Sequence, residues 1–254
     1  MKIAVFTGAS SGMGREFVKQ ICEKKKFDEV WVIARRLDRL EELKNEIDSP
    51  LRCISLDLTK RESYDEYKAL LDEHKPEVEV LVNASGFGRF GAFSDIPLDD
   101  QLSMIDLNDK ALVAITYMTL PYLVKGSEVY QVDSLSSFQP VPYIGVYGAT
   151  KAFVLSFTRA INAELRHTGI KMMAVCPGWV KTEFFDHAVT DESVITYYNK
   201  FFTADEVVKR ALYDMKKGRD VSVCGFSIRA QVLLTKLLPH KAVMKIWLKQ
   251  QGKK

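Results

Sequence analysis

The sequence is poor in cysteine and in long apolar runs, and each shortage excludes a class of protein. The four cysteines, Cys22, Cys53, Cys176 and Cys224, are widely spaced and form no CxxC pair, which indicates reduced thiols rather than a secreted disulfide framework. No apolar run has the length of a membrane-spanning helix. The segment Thr7 to Gly14 is polar and glycine-rich, and it begins too close to the first residue to leave room for the apolar stretch of a signal peptide. We therefore expect a cytoplasmic protein.

A large excess of charge of either sign is also lacking. The chain has 36 Lys and Arg against 33 Asp and Glu, and this net charge of +3 argues against a nucleic-acid-binding surface. The four histidines have no cysteine or second histidine at ligand spacing, so we expect no metal site. The chain has 254 residues, of which 47% are apolar and 27% charged. This composition predicts one globular domain spanning residues 1–254.

Short β-branched runs alternate with longer segments of helical periodicity, which is the pattern of βαβ units. We predict strands at Ile3 to Thr7, Val30 to Ala34, Cys53 to Leu56, Val80 to Asn83, Val129 to Asp133, Met172 to Val175 and Val221 to Val223. We predict helices at Gly14 to Lys25, Leu37 to Ile47, Ser63 to Glu73, Leu98 to Val124, Val146 to His167 and Ala204 to Lys216. Because right-handed crossovers place helices on both faces of a parallel sheet, the pattern predicts a single-domain, doubly wound α/β Rossmann fold with a seven-stranded parallel sheet.

The segment from Trp179 to Thr203 is the least regular part of the chain. It follows a predicted strand and is rich in aromatic residues, namely Phe184, Phe185, Tyr197, Tyr198, Phe201 and Phe202. Two interpretations stay open. Residues 179–203 could form a lid over a substrate pocket, or a pair of helices that packs these rings into the core.

The C-terminal segment is basic. After Asp220 the chain has no acidic residue, and its basic residues are Arg229, Lys236, Lys241, Lys245, Lys249, Lys253 and Lys254. Interleaved apolar residues predict a helical extension over residues 227–254. A helix that closes a pocket or a subunit contact is favoured over a weak contact with an anionic membrane surface, because Pro239 interrupts the apolar pattern.

The first predicted strand runs directly into a glycine-rich turn and then a helix. The turn is Thr7-Gly8-Ala9-Ser10-Ser11-Gly12-Met13-Gly14. Glycines let a backbone approach a pyrophosphate closely, and the N–H groups at a helix N-terminus favour its negative charge. A tight turn without a ligand is the alternative. We predict a dinucleotide site at Gly8, Ser10, Ser11, Gly12, Met13 and Gly14.

Two arginines follow the second predicted strand. An NAD-specific site would have an acidic residue there, on the ribose 2′-hydroxyl, whereas this chain has Arg35 and Arg36. Guanidinium groups can hold a 2′-phosphate with charge-assisted hydrogen bonds. The pair therefore favours NADP(H), and two surface arginines at a helix start are the alternative.

Tyr147 and Lys151 are four residues apart, so they project from one face of a predicted helix. An ammonium beside a phenol favours the phenolate and lowers the pKa of the phenol, which could then exchange a proton with a carbonyl or alcohol oxygen. The spacing alone also fits an ordinary solvated pair.

Together these features resemble the short-chain dehydrogenase/reductase family over nearly the whole chain. The glycine turn matches the family's TGxxxGxG pattern, and Asn83-Ala84-Ser85-Gly86 corresponds to its NNAG segment with Ala84 in place of the second Asn. Pro177-Gly178-Trp179-Val180-Lys181-Thr182 matches its PGxVxT segment. Asp57, Asn108 and Ser134 fall where the family has an adenine-contacting Asp, a helix Asn and a catalytic Ser.

The resemblance implies hydride transfer between a nicotinamide and a carbonyl or secondary alcohol carbon, with Asn108, Ser134, Tyr147 and Lys151 as catalytic residues. Tyr147 would be the general acid or base, and Lys151 would lower its pKa and hold the nicotinamide ribose. Ser134 would bind the substrate oxygen, with Ser136 and Ser137 as competitors for that role. Asn108 would position a water in a proton relay. The cofactor residues it implies are Gly8, Ser10, Ser11, Gly12, Met13, Gly14, Arg35, Arg36, Asp57, Asn83, Tyr147, Lys151, Pro177, Val180 and Thr182.

The substrate is less well defined by the sequence. Aromatic residues in the segment 179–203, with Phe87, Phe90, Phe93 and Tyr143, favour a hydrophobic ketone or alcohol, a hydroxysteroid (bile acids included) or a long-chain 3-oxoacyl compound. An NADPH-binding regulator that acts through a partner is the alternative function. Because members of this family commonly assemble, the resemblance implies homodimers or homotetramers that form through the predicted helices Leu98 to Val124 and Val146 to His167.

Overall fold

Parallel pairing of seven strands organises the chain. The computed structural model describes residues 1–189, 191 and 193–253. The sheet has the strands Lys2–Thr7 (β1), Glu29–Ala34 (β2), Leu51–Ser55 (β3), Glu77–Asn83 (β4), Leu123–Val132 (β5), Lys171–Val175 (β6) and Val221–Ser222 (β9), and a separate parallel pair is formed by Trp179–Val180 (β7) and Phe201–Phe202 (β8). The order in the main sheet is β3-β2-β1-β4-β5-β6-β9. The predicted doubly wound α/β fold is confirmed, and its strand order reverses between β1 and β4.

Helices connect these strands and cover the sheet. They are Gly12–Lys24 (α1), Leu37–Glu42 (α2), Arg61–His74 (α3), Leu98–Ile105 (α4), Ala111–Thr119 (α5), Gly145–Glu164 (α6), Phe184–Ala188 (α7), Ala204–Lys216 (α8), Phe226–Leu237 (α9) and His240–Gln250 (α10). Single turns of 3₁₀ helix lie at Leu43–Asn45, Leu120–Tyr122, Leu135–Phe138 and Leu165–His167, and a π-helical turn at Asp106–Lys110. Among the described residues, no helix is both long enough and apolar enough to cross a bilayer.

The two faces of the sheet bury separate apolar layers. Successive residues of β1 alternate between them: Ala4 and Phe6 join the layer under α1, while Ile3 and Val5 join the opposite layer with Tyr67 of α3. Every residue of β1 after Lys2 is buried, as expected for a strand covered on both faces. This double burial explains why the strand reads as a continuous apolar run in the sequence.

The predicted helix over Leu98 to Val124 ends too late and is not α-helical throughout. The helix is divided by the π-helical turn Asp106–Lys110, and β5 already begins at Leu123. The polar Lys125-Gly126-Ser127 hides the start of this strand in the sequence, although Leu123 pairs with Val78 of β4. The predicted helix Leu37 to Ile47 is also shorter, since its α-helical part ends at Glu42.

The segments 179–203 and 227–254, for which the sequence allowed two interpretations each, both contain regular secondary structure. Residues 179–203 contain β7, α7 and β8, and α7 is the only helix assigned in the described part of this segment. The basic tail forms α9 and α10, which are separated at Leu238 and Pro239 as the proline predicted. Thr190, Glu192 and Lys254, which these predictions include, lie outside the described residues.

Candidate active site

The glycine turn between β1 and α1 has a backbone that only glycine accommodates. Gly8 and Gly12 have φ angles of +66° and +53°. A Cβ on Gly14 would lie 2.1 Å from the carbonyl oxygen of Gly8, and a Cβ on Gly8 would lie 2.6 Å from the backbone of Ala84. Because the first N–H groups of a helix have no helical partner, this packing leaves amides of α1 available at the surface of a cleft. The turn therefore fits the pyrophosphate of a dinucleotide.

Most of the predicted cofactor residues line this cleft or the cavity next to it. The cleft has Gly8, Ser10, Ser11, Gly12, Met13, Gly14, Arg35, Arg36, Asp57 and Thr182 in its walls, and the neighbouring cavity has Tyr147, Lys151, Pro177 and Val180. Five residues belong to the walls of both: Met13, Ala84, Gly86, Thr182 and Phe184. The two spaces thus adjoin along the carboxyl ends of β1, β4 and β5, where α/β sheets bind ligands.

Asn83 is the predicted cofactor residue that lies apart. Its side chain is buried, and its Nδ2 donates to Thr116 Oγ1 at 3.1 Å and to Gln131 Oε1 at 3.0 Å. The end of β4 is held by another residue instead. The Thr7 hydroxyl accepts hydrogen bonds from the backbone N–H groups of Ala84 and Ser85, each at 3.2 Å. Thr7 therefore ties β1 to β4 where Ala84 replaces the second Asn of the family pattern.

Arg36 lies at the end of the cleft where the adenosine ribose of a dinucleotide would be expected. Its Nη2 is 3.2 Å from Ser11 Oγ and 3.4 Å from Ser10 Oγ, and both terminal nitrogens lie 3.2 Å from Glu183 Oε2. Arg39 approaches the other oxygen of Glu183 at 3.8 Å. Sequence reasoning missed Glu183, which comes from the segment 179–203 and brings a carboxylate to a basic site.

Tyr147 and Lys151 lie on α6 with both side chains buried against the cavity. Lys151 Nζ is 5.8 Å from the centre of the Tyr147 ring and donates to the carbonyl of Val132 at 2.9 Å. Ser134 follows β5 and caps the 3₁₀ turn Leu135–Phe138, where its Oγ accepts from Ser136 N at 3.2 Å. Strand β5 and helix α6 thus bring the three predicted catalytic side chains to one cavity wall.

The competing serines differ in how their hydroxyls are used. Ser137 donates to the carbonyl of Ser134 at 2.6 Å and is absent from the cavity wall, so its hydroxyl is already bonded elsewhere. Ser136 lines the cavity, and its buried Oγ has no hydrogen-bond partner within the described part of the chain. Ser134 also interacts with the phenol of Tyr147, which lowers the pKa of that phenol. This contact distinguishes Ser134 from Ser136.

The net direction of the Tyr147 pKa differs from the sequence-based expectation. Burial raises the pKa of the phenol above its ordinary value and outweighs the effect of Ser134, while the charge of Asp133 raises it further. Burial also lowers the pKa of Lys151, against the opposing effect of nearby Asp133 and Asp109. Because both groups are desolvated, the net pKa of Tyr147 lies above its ordinary value, in spite of the ammonium that the sequence predicted to lower it.

Asp133 is a second feature that sequence reasoning missed. It directly precedes Ser134, is 2% exposed, lines the cavity and accepts from Cys176 Sγ at 3.2 Å through Oδ2, while its Oδ1 meets no hydrogen-bond partner among the residues that the structure describes. Burial raises the pKa of this carboxyl to about 7. The sequence carried no signal for this burial, since acidic residues are almost never fully buried.

Asn108 lies in the π-helical turn between α4 and α5 and is buried. Its Oδ1 accepts from Phe87 N at 3.0 Å, and its Nδ2 donates to Phe87 O at 3.0 Å and to Thr150 Oγ1 at 3.1 Å. The Thr150 hydroxyl in turn donates to the carbonyl of Tyr147 at 2.7 Å. Such single π-helical turns are frequent at functional sites, and this one joins Asn108 to the helix that carries Tyr147 and Lys151.

The cavity beside Tyr147 is walled largely by aromatic rings. Its aromatic residues are Phe90, Trp179, Phe184, Phe185, Tyr197 and Trp247. Phe90 and Phe184 pack against the Tyr147 ring, with centroids 5.7 and 5.6 Å away. Amide side chains also line it, namely Gln139, Asn199, Gln231 and Gln250, the last three from the region after α7. Rings from residues 179–203 therefore pack together and also form part of the cavity wall.

Comparison with known proteins agrees with this geometry. A family profile described as short chain dehydrogenase matches residues 2–193. An uncharacterised oxidoreductase of Staphylococcus epidermidis is 29% identical over 90% of this chain and 96% of its own length. Sulfoacetaldehyde reductase 2 of Chromohalobacter salexigens is 34% identical over 72% of this chain and 74% of its own. The solved structure of a short-chain dehydrogenase from Sphingobium yanoikuyae in complex with NADPH superposes with a TM-score of 0.80 at 25% identity, covering 96% of each chain.

Proposed function

This chain belongs to the short-chain dehydrogenase family, and from that premise we propose that it is an NADP(H)-dependent oxidoreductase that interconverts a hydrophobic ketone and its secondary alcohol. The observation that carries the proposal is the juxtaposition of Ser134, Tyr147 and Lys151 on a cavity that shares a wall with the glycine cleft. A cofactor held in the cleft and a substrate held in the cavity would meet at that wall.

The side chains supply the proton chemistry of such a reaction. When bound, a nicotinamide cofactor supplies hydride exchange with the carbonyl carbon. Because burial keeps the Tyr147 pKa high, its phenol is protonated at neutral pH and can donate that proton to a carbonyl oxygen. Ser134 holds the same oxygen by a hydrogen bond, and the Lys151 ammonium stabilises the phenolate that remains.

The glycine turn and Arg36 would hold the cofactor. The α1 amides favour the pyrophosphate, and Arg36 with Ser10 and Ser11 offers donors for a 2′-phosphate. Arg35 lies in the same cleft, and Asp57 lines it on the side of β3. A similar chain of known structure that is in complex with NADPH supports NADP(H) as the cofactor.

The substrate we propose is bulky and apolar around its carbonyl. The ring-lined wall supports a hydrophobic ketone, with a hydroxysteroid or a 3-oxoacyl chain as the leading classes. Lys151 is the one Lys or Arg in the wall of this cavity among the described residues, and its Nζ is bonded to Val132. The cavity is therefore poorly suited to a small sulfonate such as the substrate named for the Chromohalobacter relative. Residues 179–203 would act as the lid of this cavity.

Assembly into dimers or tetramers is supported by a separate surface. Helices α4 and α6 expose large apolar side chains, namely Leu98, Leu102, Ile105 and Phe153. Exposed apolar side chains grouped on neighbouring helices are typical of a contact between subunits. We propose that copies of the chain associate through this surface.

The test is the rate of NADPH and NADH oxidation over a panel of steroid, 3-oxoacyl and small ketones, with Tyr147→Phe and Ser137→Ala run beside the parent protein. We expect NADPH-dependent turnover that falls at least about a hundredfold in Tyr147→Phe, because the proton donor is lost. Ser137→Ala is the matched control, since Ser137 lies outside the cavity wall. Tight NADPH binding without turnover on any ketone would contradict the proposal and favour a regulator.

A further inference from the structure

Helix α9 has two opposite faces with different surroundings. Its inner face buries Ile228, Val232 and Thr235. Its outer face carries an apolar stripe of Phe226, Leu233 and Leu237, which are 83%, 59% and 71% exposed. These positions fall on one side of a helix because their spacings of seven and four residues are near multiples of 3.6. We call Phe226, Leu233 and Leu237 the α9 stripe.

The α9 stripe has basic residues along one edge. Arg229 and Lys236 are three residues after Phe226 and Leu233, so they lie beside the stripe on the same helix, and both are exposed. The chain has no acidic residue after Asp220, so neither α9 nor α10 carries a negative side chain. An exposed apolar stripe whose charged neighbours on the helix are all cations is typical of a helix that lies on an anionic membrane surface.

Helix α10 carries a regularly spaced row of lysines. Lys241, Lys245 and Lys249 are spaced by four residues and all exposed, while Val243 on the opposite side is buried. Trp247 also lies on that inner side, where its Nε1 donates to Pro142 O at 3.0 Å. The inner side of α10 is thus fixed to the protein, and its outer side is a row of lysines.

Both helices border the substrate cavity. Gln231 of α9 and Trp247 and Gln250 of α10 belong to the cavity wall. The sequence favoured a C-terminal helix that closes a pocket. The residues of α9 and α10 that line the cavity lie on the inner faces of these helices. The outer faces have no part in the cavity wall, and they are the faces that combine apolar and basic side chains.

We propose that the outer faces of α9 and α10 bind the surface of a membrane rich in anionic lipid, with the α9 stripe inserted among the acyl chains and the lysines of α10 facing the headgroups. The protein then lies on the membrane with its substrate cavity beside the bilayer surface. This attachment does not rest on the proposed function, because the binding involves neither the cofactor cleft nor the catalytic residues.

Charge favours a membrane over a second copy of the chain as the occupant. Two copies that met through these faces would bring like charges together, since each contributes only basic residues from α9 and α10. An anionic bilayer attracts the same residues, about fivefold in binding for each lysine near its surface. The exposed apolar residues of α4 and α6 offer a second copy a separate surface.

The experiment is co-sedimentation of the full chain with vesicles of phosphatidylcholine alone and of phosphatidylcholine mixed with phosphatidylserine. One variant, Leu233→Ser with Leu237→Ser, removes most of the α9 stripe, and another, Lys241→Gln with Lys245→Gln and Lys249→Gln, removes the lysine row. The matched controls are Phe93→Ser with Tyr213→Ser, and Lys24→Gln with Lys209→Gln and Lys216→Gln, all exposed residues outside α9 and α10. Circular dichroism and light scattering report folding and molar mass for each.

We expect the parent protein to bind the mixed vesicles, to bind phosphatidylcholine much more weakly, and to be released by salt. Each tail variant should lower the partition coefficient at least about tenfold, whereas the controls should stay within about twofold. The proposal is overturned if the parent protein does not sediment with mixed vesicles at low salt, or if the controls lose as much binding as the tail variants. It is also overturned if Leu233→Ser with Leu237→Ser changes the molar mass and leaves vesicle binding unchanged, because the stripe would then join two copies.

Discussion

The cofactor cleft and the substrate cavity share a wall but are built in different ways. The cleft rests on β1 and the turn into α1, where backbone meets backbone so closely that a Cβ on Gly14 has no room. The cavity depends on β7 and β8, which are two residues long, and on ring-to-ring contacts such as Trp179 with Tyr198 at 4.9 Å. A backbone contact demands one residue type at one position, whereas ring packing can be met by many sequences. Motifs therefore identify the cofactor half, and the substrate half has to be inferred from its surface.

The largest expected effect tests whether the glycine turn of the cleft excludes any side chain at Gly14, as its close backbone packing implies. Gly14→Ala places a Cβ 2.1 Å from the carbonyl oxygen of Gly8, which neither neighbouring backbone can easily avoid. We expect the free energy of unfolding to fall by about 3 kcal/mol or more, measured by urea denaturation, and nucleotide binding to be lost.

Gly145→Ala is the matched control for this prediction. Gly145 is the first residue of α6, and a Cβ there would meet nothing within 4 Å. Because alanine favours helix, we expect this variant to be unchanged or more stable by up to about 1 kcal/mol. Equal stability of the two variants would contradict the contrast between a backbone-packed turn and an open helix start.

The second prediction concerns Asp133, at the wall of the substrate cavity. Burial raises the pKa of its carboxyl from 3.8 to about 7, and Lys151 opposes this only in part. Between these values the folded state holds a proton that the unfolded state releases. Stability from this group is therefore fully present below its ordinary pKa and is lost as pH rises through about 7.

Asp133→Asn should flatten this part of the pH profile, because the amide does not ionise. Measured by urea denaturation across the same pH range, the loss of stability should shrink by on the order of 2 kcal/mol. Asp109, whose pKa burial also raises to about 7, should keep part of the slope in the variant. Asp99→Asn, at an exposed position of α4, is the control and should follow the parent profile. A profile for Asp133→Asn that is parallel to the parent would show that Asp133 does not ionise in this window.

The sheet could be predicted because strands buried on both faces leave an unmistakable pattern. Val30 to Ala34 and Val80 to Asn83 are almost wholly apolar, and both lie within the observed strands. The pattern failed where burial is partial. Residues 123–128 of β5 include an exposed Lys125 and Gly126, so the start of that strand resembled a helix end. The π-helical turn at Asn108 was also not predicted, since such turns are rare and occur as single turns inside α-helices.

The candidate site divides in the same way. Motif spacing placed Ser134, Tyr147 and Lys151 together, because Ser134 follows β5 and the other two lie on α6, whose positions the fold determines. Asp133 and Glu183 were missed for different reasons. The role of Asp133 depends on its burial, which the sequence does not reveal. Glu183 contacts Arg36, which is 147 residues away along the chain. Contacts of that separation depend on how the segment after β7 turns back, which local sequence does not specify.

The smallest expected effect concerns Glu183, a carboxylate that reaches the cofactor cleft from the segment 179–203. Glu183 comes from the segment that supplies rings to the substrate cavity, yet it lines the cofactor cleft, where it is paired with Arg36 and Arg39 at the position proposed for a 2′-phosphate. An anion at that position competes with the phosphate, so Glu183→Gln should strengthen NADP⁺ binding. Exposed ion pairs contribute at most about 1 kcal/mol, so we expect the dissociation constant to fall about two- to fivefold in a fluorescence titration.

The comparison of NADP⁺ with NAD⁺ makes this prediction specific. NAD⁺ lacks the 2′-phosphate, so its dissociation constant should change less in Glu183→Gln than that of NADP⁺. Asp186→Asn removes the same charge from α7, and no ion pair of Asp186 is found among the described residues, so it serves as the control for a general change in potential. Weaker binding of both nucleotides in Glu183→Gln would mean that the carboxylate contacts the cofactor instead of competing with it. In that case Glu183 would act as a binding residue of the cofactor cleft and not as a competitor for its 2′-phosphate position.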